Sequence, residues 1–186
     1  ASGKLRADDD FLSSFVNQRP AMSIASGVAT IHIMGTLLSK STPIERSCGI
    51  TDYSQIREEV AAALASPDCK SINLVIDSPG GMVQGCAETG TAIRNAGLEK
   101  PVTAHVDGQC CSAAYWLASQ CESIEATPSS TIGSIGVIMP WIDKVGMWQQ
   151  LGIAWNPITS EGADLKGMGG GPTLTDEQRD FLTASA

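Results

Sequence analysis

Ser112 stands where a predicted strand passes into a predicted helix, a position that exposes a side chain at the positive end of the helix. A hydroxyl at such a corner is a candidate nucleophile and needs a base to take its proton. The histidines are His32 and His105, and each lies within a predicted strand, before Ser112. A triad with a later histidine is therefore excluded. A triad with one of these two stays open, although a locally hydrogen-bonded strand histidine is more common.

A lysine can replace histidine as the base when burial lowers the pKa of its amine. Five lysines lie at the terminus, in polar turns, beside a proline or at a helix start, where solvated positions are the rule: Lys4, Lys40, Lys70, Lys100 and Lys144. Lys166 differs because its glycine-containing segment, 160–167, could fold over a crevice. From residue type alone, a solvated role is still the more common one for a loop lysine.

Two consecutive glycines, Gly80 and Gly81, follow a short apolar run and a proline. Glycines bring backbone N–H groups close to a ligand because no Cβ intervenes, and a following helix N-terminus adds positive potential. This pattern is typical of an oxyanion hole. A glycine turn without a ligand is the simpler alternative.

These residues need a fold that brings them together, and alternating strands and helices predict an α/β layered fold. Strands are predicted at 28–34, 72–76, 124–126, 137–139 and 153–155, with another starting at Val102. Helices are predicted from Asp52 to near Pro67, after the turn at 77–81 and ending around Gly97, within 108–120, between 142 and 152, and from Thr175. The stretch 36–49 is predicted to be a loop.

The strand at 72–76 and the strand from Val102 start 30 residues apart, close to the length of one strand–helix–strand crossover. Such a crossover predicts a parallel, right-handed pair. Ligands of parallel sheets lie beyond the carboxyl ends of the strands. We therefore expect the turns predicted at 77–81 and 108–112 to face one crevice.

Composition excludes several function classes. The chain has 12 Lys and Arg against 20 Asp and Glu, a net charge of −8, and no basic cluster, so neither nucleic acid nor an anionic membrane is expected as a partner. No uncharged apolar run reaches the ~18 residues of a membrane-spanning helix. The 6 cysteines show no C-x-x-C spacing, so no metal or redox site and no cofactor is indicated. Scattered thiols favour a cytoplasmic location.

The length of 186 residues fits one globular domain. Residues 1–20 are expected to be a disordered polar lead-in, and residues 21–186 are expected to form the domain.

Four strings of residues, taken in order and spacing, resemble the signal-peptide-peptidase A family of serine peptidases. The resemblance is greatest to the branch of tailed-bacteriophage head-maturation, or capsid-assembly, proteases. The strings are DSPGG at 77–81, CSAAY at 111–115, TIGSIGVIM at 131–139 and the stretch around Lys166. The resemblance covers roughly residues 28–182, and GSIGVIM combined with SPGG is more specific than any single motif.

The resemblance implies a serine endopeptidase with a Ser/Lys dyad. It makes Ser112 the nucleophile, Lys166 the general base and Ser134 the hydroxyl that orients the lysine amine. The N–H groups of Gly81 and Ala113 correspond to the oxyanion hole. The implied fold is the ClpP/crotonase-like spiral of parallel strands and helices, which agrees with the α/β prediction.

The resemblance also implies a homo-oligomer without metal that cleaves polypeptides, namely phage scaffold or capsid proteins, in a bacterial or phage-infected cell. Two features depart from the family pattern. Lys166 comes four residues after Gly162, where three is usual, so the loop carries an extra residue. The chain also ends at Ala186, where relatives continue with further helices and a strand, so the domain is expected to lack these C-terminal elements.

Two other functions stay open. A crotonase-like acyl-CoA enzyme also uses paired N–H groups to hold an oxyanion, and it has no need of Ser112. A scaffold or capsid-interaction protein would keep the same fold with a dormant site.

Overall fold

The computed structural model describes residues 19–163, 165 and 171–186. The chain divides into two compact units, the first ending at Gly136 and the second running from Val137 to Ala186. Lys166 and all but the last two residues of the expected lead-in at 1–20 lie outside the described residues.

The first unit is built on a seven-stranded sheet with the spatial order β1-β2-β4-β5-β6, in which β3 pairs with β2 and β7 with β5. The strands are β1 (Ser23–Ala25), β2 (Val28–Leu38), β3 (Thr51–Asp52), β4 (Ser71–Gly81), β5 (Val102–Cys111), β6 (Ser123–Ala126) and β7 (Thr131–Gly133). The hairpin of β1 and β2 is antiparallel and the other pairs are parallel. The predicted α/β class with parallel strands is confirmed.

The described helices of the first unit are α1 (Pro43–Ser47), α2 (Tyr53–Ala65), α3 (Cys86–Gly97) and α4 (Ala113–Ala118). Those of the second unit are α5 (Val145–Gln150) and α6 (Asp176–Ser185). α2 begins at its predicted cap, where the Asp52 carboxylate accepts the N–H of Gln55. α6 begins with the predicted reciprocal pair of Thr175 and Gln178.

The core of the first unit lies between the sheet and helices α2, α3 and α4. Alternate strand residues point into it, as the period of two in an extended chain requires. The fully buried residues include Ile31, Ile33, Leu74, Ile76 and Val106 from the strands and Ile56, Ile93 and Leu117 from the helices. Burying one such side chain contributes roughly 1.5–3 kcal/mol, so this packing fixes the strands whose ends carry the candidate site.

The strands predicted at 137–139 and 153–155 are wrong. Both stretches are irregular, and Ile138 is 90% exposed. A strand needs a neighbour to pair its N–H and C=O groups, and in the described part of the chain neither stretch has one. Residues 131–133, by contrast, form β7 because β5 offers them a pairing edge over residues 109–111.

The loop predicted at 36–49 contains the end of β2 and helix α1. Pro43 starts α1, where its missing N–H has no intrahelical partner to lose, and Thr42 caps it.

Lys100 also differs from its expected solvated role. Its ammonium donates to the carbonyl oxygens of three residues at the end of α2: Ala63 (2.9 Å), Leu64 (2.8 Å) and Ser66 (3.0 Å).

Candidate active site

The turn predicted at 77–81 is instead the end of strand β4. Met34 of β2 pairs with Asp77 and Thr36 pairs with Gly80, so β4 has one residue more than β2 over this stretch, which is a β-bulge. Gly80 has a φ of +95°, a backbone conformation that favours glycine. The bulge lets the strand bend while it stays in the sheet.

β5 carries a second irregularity beside the first. It has two residues more than β4 between two registered pairs, Ile76–Val106 and Ser78–Cys110. Gly108 lies among the extra residues with a φ of +128°, and a Cβ there would come within 2.3 Å of Oδ1 of Asp77. The same oxygen accepts the N–H of Gln109 at 2.9 Å. The Asp77 carboxylate therefore holds the bulge of β5 in place.

Ser112 lies at the turn between β5 and α4, as predicted. Its φ of +53° and ψ of −122° are unusual for an L-residue and cost on the order of 1–3 kcal/mol. The N–H of Ser112 donates to the carbonyl oxygen of Gly133 in β7 (2.8 Å), which helps to hold this conformation. A strained strand-to-helix turn is one way in which proteins present a nucleophilic serine.

Gly80 packs directly against the Ser112 turn. A Cβ added to Gly80 would lie 2.7 Å from the carbonyl oxygen of Cys111, 2.8 Å from Cβ of Ser112 and 3.0 Å from N of Ala113. Only glycine fits this contact. The structure thus brings the glycine string of β4 and the start of α4 together at Ser112.

Gly81 lies close to β2. It pairs with Leu37, and the next residue, Met82, donates its N–H to the carbonyl oxygen of Leu37 (2.8 Å). β5, which leads to Ser112, lies on the other side of β4 from β2.

Ser134 follows β7 and is exposed, with a φ of +51°. The residue before it, Gly133, pairs with Cys111, and its carbonyl oxygen accepts the N–H of Ser112. The backbone of Ser134 therefore starts next to the Ser112 turn. The position of Lys166 lies outside the described residues, and its pairing with Ser112 stays a prediction.

Both histidines lie in strands, as predicted, away from the Ser112 turn. His32 and His105 flank Val75 on β2 and β5. His105 comes seven residues before Ser112; at ~3.3 Å per residue this is on the order of 20 Å along a strand. Burial and the positive charge of Arg19 lower the pKa of His32. This geometry does not favour a histidine triad.

A cleft of about 330 Å³ lies at the carboxyl ends of β2, β4 and β5. Asp77, Pro79 and Gln109 are among its lining residues, so parts of the strings at 77–81 and 108–112 face one crevice, but Ser112 is not among the described lining residues. Among the described side chains, no three His, Cys, Asp or Glu come together to hold a metal ion. No helix in the described ranges is long and apolar enough to cross a bilayer.

Sequence reasoning did not single out Ser78, whose hydroxyl is buried at this site. Its Oγ donates to the carbonyl oxygen of Gly35 (2.6 Å) and accepts the N–H of Gly80 (3.1 Å). The alternation of buried residues Ile72, Leu74 and Ile76 continues to Ser78. That alternation was the available signal, because it places a polar side chain on the core face.

Three comparisons with known proteins bear on this site. The chain is 33% identical over 155 residues to the head-tail preconnector protein GP5 of Enterobacteria phage P21, covering 82% of this chain and 30% of that protein. It is 33% identical over 135 residues to capsid assembly protease C of Escherichia phage lambda, covering 73% of this chain and 30% of that protein. The chain thus spans about a third of the length of these relatives.

Among solved structures, the chain is similar to the 1510-N membrane-bound stomatin-specific protease in complex with a substrate peptide. The identity is 21%, the coverage is 61% of this chain and 46% of that one, and the TM-score is 0.47. The sequence profile described as Peptidase family S49 matches residues 95–185, a range that includes Ser112 and Ser134. The resemblance indicated by the four strings is confirmed, and this chain carries a peptidase family S49 domain.

Proposed function

We propose that this protein is a serine endopeptidase in which Ser112 is the nucleophile and Lys166 the general base. The N–H groups of Gly81 and Ala113 form the oxyanion hole, and the hydroxyl of Ser134 orients the lysine amine. The observation that carries the proposal is the packing of Gly80 against the strained turn at Ser112, which joins a candidate nucleophile to candidate oxyanion donors. The match to peptidase family S49 supports the reaction class.

The reaction begins when the neutral amine of Lys166 takes the proton of the Ser112 hydroxyl. The serine oxygen attacks the carbonyl carbon of a peptide bond, and the two N–H groups stabilise the negative charge on the carbonyl oxygen. The C–N bond breaks, and the leaving amine receives the proton from Lys166. Water, deprotonated by the same lysine, then attacks the acyl-enzyme ester and releases the acid product and free Ser112.

The place of Gly81 directly after Gly80, which packs against the Ser112 turn, supports its oxyanion role. Removing one oxyanion donor costs roughly 10²–10³ in rate in other enzymes. The first residue of α4, Ala113, is almost fully buried, and its backbone N lies near Gly80. Ala113 therefore belongs to backbone that core packing holds in place, and Gly81, itself exposed, directly follows the buried Gly80.

The proposed substrates are polypeptides of a phage head, namely scaffold or capsid proteins. The relatives' names, head-tail preconnector protein and capsid assembly protease, support this choice. We also propose a homo-oligomer. Its support is that large apolar side chains are left in contact with solvent, Ile138 at 90% and Ile158 at 100% exposure among them, and burial at an interface would remove that apolar surface from water.

The decisive test is labelling of the 186-residue chain with a fluorophosphonate, with the modified residue mapped by mass spectrometry across pH. We expect label on Ser112, and none in Ser112→Ala or Lys166→Ala. Labelling should rise with pH at a midpoint well below ~10.4, the pKa of an unperturbed lysine. Ser119→Ala, at the other end of α4, and Lys40→Ala are matched controls that should label normally.

Other outcomes would contradict the proposal. Peptide hydrolysis that persists in Ser112→Ala would rule out Ser112 as the nucleophile. Thioester turnover that survives the same change would favour an acyl-CoA enzyme. A folded chain that binds capsid proteins yet never reacts with the probe would favour an interaction protein with a dormant site.

A further inference from the structure

Ser78 is the residue of β4 around which the pairing with both neighbouring strands becomes irregular. A bulge disrupts the ladder and leaves backbone groups unpaired, and a buried unpaired group costs about as much as a lost hydrogen bond. The next residue, Pro79, has no N–H to offer. Backbone groups at this point therefore need a partner from outside the ladder.

The side chain of Ser78 supplies that partner on both sides. It is fully buried, its Oγ donates to the carbonyl oxygen of Gly35, and it accepts the N–H of Gly80. Gly35 is the residue that the β2–β4 register skips between Met34 and Thr36. A hydroxyl both donates and accepts hydrogen bonds, so one small side chain ties the irregular part of β2 to Gly80.

Gly80 transmits this restraint to the site. The Cα of Gly80 lies so close to the Ser112 turn that a Cβ added to it would fall within 3.0 Å of three atoms there. The following peptide carries the N–H of Gly81. Moving Gly80 would therefore move the Gly81 N–H relative to Ser112.

We infer that Ser78 is a positioning residue, whose hydroxyl holds the Gly80–Gly81 peptide so that the Gly81 N–H faces the oxyanion formed at Ser112. Its catalytic consequence rests on the proposed function. Ser78 acts through Gly80 and not on the substrate. An oxyanion exists only after the serine has attacked. Loss of the Ser78 hydroxyl therefore slows the chemical step and leaves binding of the intact probe nearly unchanged.

The test compares Ser78→Ala with the wild-type chain in fluorophosphonate inactivation, resolving the maximal rate kinact from the half-saturating concentration KI. We expect kinact to fall about 10- to 100-fold, somewhat less than outright removal of an oxyanion donor, and KI to change by less than about twofold. The midpoint of the pH profile should stay where it is, because the base is untouched. Ser78→Cys keeps nearly the same volume but donates weakly, and it decides the question if Ser78→Ala does not fold.

Thr89→Val is the matched control. Thr89 is also fully buried, and its hydroxyl donates to the carbonyl oxygen of Gly85 (2.7 Å) and accepts from Arg57 (2.8 Å), but it lies in α3. We expect Thr89→Val to lower the melting temperature as Ser78→Ala does. Its kinact should stay within about twofold of the wild-type value, since no oxyanion donor is disturbed. A folded Ser78→Ala chain with wild-type kinact, or an equal loss of kinact in Thr89→Val, would overturn the inference.

Backbone amide NMR separates this inference from the proposed function. If the wild-type chain takes no label at Ser112, the proposed function fails, and the positioning role is then judged on the amide shifts of Gly80 and Gly81. Shifts that move in Ser78→Ala and stay in Thr89→Val support it. Unchanged shifts in both variants overturn it.

Discussion

The two compact units of this chain hold their residues in place by different means. Every buried apolar side chain in the described ranges lies between Ala29 and Ala118, in the first unit. In the second unit, α5 and α6 bury no residue, and Ile158 is fully exposed. The first unit thus has a core, whereas the described part of the second relies on surface contacts.

Those surface contacts are polar and aromatic. Asp143 accepts from the hydroxyl of Thr173 (2.6 Å) and the indole N–H of Trp141 donates to the carbonyl oxygen of Pro172 (3.0 Å). The rings of Trp148 and Trp155 stack with centroids 5.5 Å apart. Exposed contacts of this kind stabilise less than a core does, and segments that depend on them open more easily.

Precise placement of the proposed site depends on the first unit. The proposed nucleophile and oxyanion donors lie in β4, at the end of β5 and at the start of α4, and core packing fixes these elements. The segment of the proposed base, Lys166, belongs to the unit whose described residues have no such packing. Substitutions around Ser112 in the first unit should therefore produce larger and more local effects than substitutions in the second unit.

The largest effect is expected from Gly80→Ala. The added Cβ would meet two backbone atoms and the Cβ of Ser112 at 3.0 Å or less, in a backbone conformation that alanine rarely adopts. We expect labelling at Ser112 to fall at least ~100-fold, because the oxyanion donors move, and stability to fall by about 1–3 kcal/mol. Labelling kinetics and urea denaturation measure both.

Gly97→Ala is the control for this change. An added Cβ at Gly97, the last residue of α3, meets nothing within 4 Å. The control should label at the wild-type rate. Normal labelling of Gly80→Ala would show that the contact between Gly80 and Ser112 does not position the site.

A smaller effect is expected at Asp52, the buried cap of α2. Burial by itself raises the pKa of this carboxyl, but hydrogen bonds from Ser41, Ser54, the N–H of Gln55 and Arg46 outweigh it and lower the pKa to about 2. Its ionised form therefore stabilises the folded state above the ordinary pKa of 3.8, and this contribution disappears as the pH falls through 2. Asp52→Ala should cost about 1–2 kcal/mol at pH 7, and little at pH 2.

Asp143→Ala is the corresponding substitution in the second unit. Asp143 is an exposed carboxylate whose pKa is also lowered, by the hydroxyl of Thr173 and the N–H of Val145. We expect it to leave the unfolding of the first unit unchanged at both pH values. Circular dichroism in urea measures the free energy of unfolding of each variant. Equal losses of this free energy in Asp52→Ala and Asp143→Ala would contradict the distinction between the units.

The smallest effect is expected for Lys100→Met. It removes the ammonium that binds the carbonyl oxygens at the end of α2 and keeps most of the aliphatic chain. The loss should be about 1 kcal/mol, because helix carbonyls lose a charged donor but regain water. Lys40→Met, at an exposed position, is the control, and no change in Lys100→Met would mean that the cap contributes nothing.

The elements predicted well are those with strong local signals. The crossover from β4 through α3 to β5 follows from two apolar runs and the residues between them, and α2 starts at Asp52, whose side chain suits a cap. Ser112 lies between a strand and a helix as expected. The failures at 137–139 and 153–155 concern apolar runs that look like strands but have no pairing partner in the described ranges.

The chemistry available at the corner could be read from residue types and order: a serine between a strand and a helix, and two glycines after an apolar run. The fold class could be read in the same way, because hydrophobic periodicity acts over a few residues. The three-dimensional packing was needed to show that β4 and β5 bulge side by side, that Ser78 bridges Gly35 and Gly80, and that Gly80 packs against Ser112. The contacts of Ser78 with Gly35 and of Gly80 with Ser112 join residues 43 and 32 positions apart, and such register depends on how whole strands pack and not on local preference.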